Sequence, residues 1–101
     1  MFGVTKRPKR AVQRGVNHSY VTVISITRTT PFSWVADVEY SYGKNTWPES
    51  VTFDTERTRD GKRAVTITDS DYPSDRAQKV VIEASVDMPT FITSFIISGR
   101  W

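Results

Sequence analysis

Residues 34–42 carry the clearest pattern in the chain. Trp34, Ala36, Val38, Tyr40 and Tyr42 fall on one side of a period of two, and Val35, Asp37, Glu39 and Ser41 on the other. Such alternation predicts a strand with one face on a core and the other largely in water. Upstream, 20–27 (Tyr-Val-Thr-Val-Ile-Ser-Ile-Thr) reads as a strand with apolar residues on both faces, ended by Thr29, Thr30 and Pro31. Gly43-Lys44-Asn45 turns the chain after the second strand, and Pro48 in the following run suits a strand start or an edge.

The next hairpin is fixed by register. Val51, Phe53 and Thr55 share one face of their run, as do Arg63, Val65 and Ile67 of theirs. A two-residue Asp60-Gly61 loop would set Phe53 against Thr68 and mix core with solvent. A three-residue loop, Arg59-Asp60-Gly61, pairs Phe53 with Ile67 and Thr55 with Val65, with Gly61 in the left-handed conformation. The longer loop is favoured because a slip of one residue moves the whole apolar set to the wrong face. A polar connection over 69–78 follows, with a helical turn expected after Pro73. A strand is then expected at 79–87 (Val80, Ile82, Ala84 and Val86 inward) and another at 91–98, buried on both sides.

Six short strands separated by turn signals predict an all-β protein, a small antiparallel β-sandwich, with a small β-barrel as the alternative. Composition agrees: leucine is absent, and Val, Ile and Thr supply 32 of 101 side chains. These β-branched residues are stiff at χ1 and favour a pleated surface over a helix. The length suits one domain. Residues 1–18, punctuated by Gly3, Pro8 and Gly15 and without a period, read as an extended basic N-terminal arm, and 19–101 as the single sandwich domain.

Charge adds a second layer. The total is +3, but residues 1–20 hold Lys6, Arg7, Lys9, Arg10 and Arg14 without an acid. Residues 57–63 hold Arg57, Arg59, Lys62 and Arg63 against Asp60, and most of the compensating acid lies in 69–87. In the register above, Arg57 and Arg63 face each other, which destabilises a hairpin unless an anion or an acidic partner lies between them. These nine basic residues are the candidate contacts for a protein partner or a polyanion. Trp47, Tyr72 and Trp101, outside the clean core pattern, are candidate interface anchors.

Chemistry is harder to place. Without cysteine, disulfides, thiolate metal sites and thiol nucleophiles are excluded. The lone histidine, His18, sits in the irregular arm, far from the setting of a catalytic base. Asp37 and Glu39 mark the wet face of a strand. Asp69, Asp71 and Asp75 resemble a calcium loop only until Pro73 and Ser74 take the positions of an oxygen ligand and a glycine. The expectation is therefore no catalytic residue, no metal, no cofactor and no small-molecule substrate. No apolar run approaches membrane-spanning length, and the charged N-terminus lacks the apolar core of a secretory signal.

The leading functional expectation is a non-enzymatic structural or assembly protein, homo- or hetero-oligomeric, docking through its basic arm. A virion capsid, neck or tail subunit fits this description. The alternative is a nucleic-acid-binding module using the arm and the Arg57/Arg63 tip. A third reading is an adaptor or inhibitor that adds a strand to a partner's sheet.

Overall fold

The computed structural model describes residues 19–101. The arm expected at 1–18, with His18 and the five basic residues Lys6 to Arg14, lies outside the described residues. Five strands, β1 (Ser19–Thr30), β2 (Ser33–Tyr42), β3 (Asn45–Arg57), β4 (Arg63–Asp69) and β5 (Ala77–Ile82), form one open antiparallel sheet in the order of the sequence. A single helix, α1 (Met88–Ile97), lies on one face. The expected antiparallel, mostly-β class is what the chain adopts.

The second layer differs from expectation. Residues 91–98 are not a sixth strand, and the core is closed by α1 rather than by a second sheet. The buried residues Met88, Phe91, Ile92, Phe95 and Ile96 recur at the spacing of one helix face. The Asp87 carboxylate caps the first turn, accepting from the Thr90 N–H at 3.1 Å and from its hydroxyl at 2.8 Å. Pro89 sits in the first turn, where a missing N–H costs nothing. At the other end Gly99 turns left-handed at φ +82°. Its N–H then donates to the Ile96 carbonyl, and that of Arg100 to Phe95. This pairing satisfies the last carbonyls. These end signals outweigh the β-branched composition of the segment.

The expected strand at 79–87 likewise starts earlier and stops at Ile82, because the chain must reverse over Glu83–Val86 to lay α1 on the sheet. In β1 the two apolar faces have a mechanical explanation. Val23 pairs with Val38 and Ser25 with Asp37, so Ile24 is an extra, bulged residue. Side-chain parity inverts there, which lets Val21, Val23 and Ile26 all pack on the core.

The β3–β4 register is the expected one, with Phe53 opposite Ile67, Thr55 opposite Val65, and Arg57 opposite Arg63. The three-residue loop closes with the Thr58 N–H on the Lys62 carbonyl and Gly61 at φ +84°. The β2–β3 hairpin turns on Gly43 and Lys44, with Tyr42 paired to Asn45 and Gly43 at φ +62°. Pro48 belongs to β3 and pairs with Glu39 of β2, but β4 pairs β3 only from Val51 onward. It thus occupies the stretch of β3 where a missing donor breaks no second ladder. The core lies between the sheet and α1. Phe53 meets Phe91 and Phe95 edge-on, at ring-centroid distances of 6.4 and 6.0 Å.

Candidate interaction surfaces

The sequence-predicted contact residues divide into three settings. Arg57, Lys62 and Arg63 come together beside a groove of about 590 Å³ at one end of the sheet, on the face that carries α1. Arg59 is exposed at the neighbouring hairpin tip. The three aromatic candidates differ in exposure. Trp101 is fully buried in the core, under the Arg76 guanidinium at 4.0 Å, and is no exposed anchor. Trp47 is half-buried, stacked on Tyr40 at 5.9 Å, and its indole donates to Glu49. Tyr72 is exposed as expected.

Register also delivers residues that alternation alone misses. Arg28 pairs with Trp34, and Trp34 with Phe53, so Arg28 projects to the α1 face. Counted from Val21 and Val23, strict alternation would send Arg28 to the other side. The bulge at Ile24 reverses it, and no local signal announces a bulge. The Arg28 guanidinium lies over the Trp34 ring at 5.3 Å and donates to the Pro31 carbonyl at 2.7 Å. Phe32, in the β1–β2 turn, remains 65% exposed. Its carbonyl accepts from both the N–H and the hydroxyl of Thr55, each at 2.8 Å, which locks the turn onto β3.

The groove therefore has Trp34 and Thr55 on one strand pair, Arg28 and Phe32 on one hairpin, and Arg57, Lys62 and Arg63 on another. The loop leading into α1 forms the remaining wall. Arg63 donates to the Val86 carbonyl at 3.0 Å, and Lys62 pairs with Glu83 at 3.4 Å. Among the described residues no carboxylate pairs with Arg28, Arg57 or Arg63. Asp60 stays at the tip, where the Thr58 hydroxyl donates to its carboxylate and holds it below the usual carboxylate range. Backbone N–H groups and the nearby Lys62 charge act in the same direction.

The opposite face of the sheet is hydroxyl-rich and carboxylate-bearing. Asp37 accepts from Ser25 at 3.2 Å and Ser50 at 2.6 Å, and Asp54 accepts from Ser33 at 2.6 Å. These carboxylates are occupied in a cross-strand lattice. The buried Asp69 carboxylate accepts the N–H groups of Asp71 and Tyr72 at 2.9 and 3.0 Å, so it organises the acidic connection. Among the described residues no group of three or more acids and histidines is arranged to hold a metal ion.

The sheet's edges are the third surface. β1 is interrupted by two irregularities, a protected form of edge, whereas β5 pairs with β4 without a break. Exposed apolar side chains stand on both, Ile24 on β1 and Val81 on β5, at 62% and 58%. Among the described residues no helix is long and apolar enough to cross a membrane. Compared with protein-family models, curated proteins and solved structures, the chain matches none.

Proposed function

We propose that this protein is a non-enzymatic structural subunit that assembles with copies of itself or with partner subunits, as the capsid, neck or tail components of a virion do. The observation that carries this reading is the open sheet, whose two edge strands hold apolar residues that are only half-buried. Five strands spaced about 4.8 Å apart make a face roughly 20 Å wide, while a helix with its side chains spans only about 10 Å. α1 covers part of that face and approaches β1, while Val21, Val23 and Ile26 on β1 and Val80 and Ile82 on β5 pack at the margin of the core and stay only half-buried.

Charge supports the same reading. The five basic residues of 1–18 leave a net −2 for residues 19–101, so the arm and the domain carry opposite signs. Opposite-sign patches on one chain favour head-to-tail or arm-to-neighbour contacts. The test is the mass of the full chain in solution by light scattering behind size exclusion. A clear multiple of 11.5 kDa is expected. Removing residues 1–14 should leave the far-UV circular dichroism of the sheet in place and abolish assembly. Assembly unchanged by that deletion contradicts docking through the arm.

A further inference from the structure

The geometry points to the basic groove as a binding site for single-stranded nucleic acid, with its arginines on the phosphates and Phe32 as the platform for a base. The inference stands independently of the assembly reading.

Arg57, Lys62 and Arg63 of the β3–β4 hairpin are joined at one groove by Arg28 of β1, which is distant in sequence. Of these four, Lys62 alone is ion-paired among the described residues. Arg28 and Arg63 donate to neutral carbonyls, which fixes their guanidinium groups in place without cancelling their charge. Glu56 and Asp87 also border the groove, but Glu56 alternates away from Thr55 and Arg57 on β3, and Asp87 is committed to the cap of α1. Arg57 and Arg63 face each other across the β3–β4 pair, where Cβ atoms are only about 5 Å apart. Like charges set directly opposite on paired strands are destabilising, and an anion bound between them would relieve that. Guanidinium forks match phosphate oxygens in pairs.

Several cations spread along an open groove suit a chain of phosphates better than one ion. Phe32 decides which chain. It is a large apolar ring held out in water on a turn whose backbone is clamped by Thr55, at the rim of the cationic groove. Aromatic platforms beside a positive groove are how unpaired bases are held without sequence preference. Duplex nucleic acid offers its phosphates but no free base face, and a sulfated polysaccharide has none at all.

The experiment is fluorescence anisotropy of the full chain with a labelled oligothymidylate of about ten nucleotides, a length within the usual site size of such grooves. Residues 1–18 keep their charges in every variant, so differences between variants report the groove. Arg57→Gln should weaken binding severalfold and lower the slope of log affinity against log salt by about 0.7, the loss of one phosphate contact on a single strand. Phe32→Ala should weaken it at least about fivefold with the slope unchanged, as for the loss of one stacked base. Lys44→Gln, at the far end of the sheet, should change neither. The proposal is overturned if the oligonucleotide does not bind, or if Arg57→Gln and Phe32→Ala bind as the parent does. It is equally overturned if Lys44→Gln loses as much as Arg57→Gln, or if heparin or phosphatidylserine vesicles reproduce the whole dependence on Arg57 and Phe32.

Discussion

At φ +84° Gly61 holds a backbone conformation that a residue with a Cβ enters at a cost of about 1–2 kcal/mol. A Cβ added there would meet no atom within 4 Å, so the penalty is purely conformational. Gly61→Ala should therefore lower stability by about 1 kcal/mol in urea unfolding, with an unchanged slope, and Gly61→Asn by less. Equal stability of the three would contradict the left-handed turn. Beside it, Asp60 is held in its ionised form chiefly by the Thr58 hydroxyl. Its lowered pKa stabilises the fold above the ordinary carboxylate range and ceases to do so as pH falls through the shifted value. Melting temperatures of the parent and Asp60→Asn should thus differ at neutral pH and converge on acidification below about pH 4. A difference that does not change with pH would remove Asp60 from the account.

Among the elements, α1 is where a composition argument fails and a positional one succeeds. Ile92, Ile96 and Ile97 favour a strand by propensity, and Phe91, Phe95 and Ile97 alternate well enough to suggest one. The decisive signals were nevertheless present. The spacing 88, 91, 92, 95 and 96, the Asp87 cap, Pro89 in the first turn and Gly99 after the last all mark a helix. Asp87→Ala should cost about 1 kcal/mol, and Ile92→Ala, on the fully buried face, about 2–5 kcal/mol, both read by thermal or urea unfolding. If both are neutral, α1 is not the lid of the core. The β3–β4 hairpin, by contrast, was legible to the residue, because a wrong register would have carried Phe53 and Ile67 into water. The bulge at Ile24 was not legible. It inserts one residue into an apolar run that reads the same in either parity, and it alone brings Arg28 round to the groove.

For the whole molecule, the strand order follows the sequence, as short turns between alternating runs dictate. The number of layers could not be read with the same certainty, since a ten-residue segment rich in apolar side chains serves equally as a lid helix or a central strand. The basic patch was legible as charge, but its form as a groove depends on the meeting of the β1–β2 hairpin, the β3–β4 hairpin and the loop before α1. The burial of Trp101 is hidden from the sequence for a similar reason. Beyond the last periodic element nothing in the local pattern distinguishes a side chain that returns to the core from one left outside. Trp101→Ala should accordingly destabilise the domain by about 3–5 kcal/mol rather than weaken an interface. A variant that melts like the parent but assembles poorly would reverse that assignment.

The central claim is assembly, and the mass of the full chain in solution tests it most directly. Light scattering behind size exclusion should give a clear multiple of 11.5 kDa. Val81→Lys, a charge placed on the exposed residue of the unbroken β5 edge, should lower that mass without lowering the melting temperature. A parent that elutes as a monomer across the accessible concentration range would contradict the account.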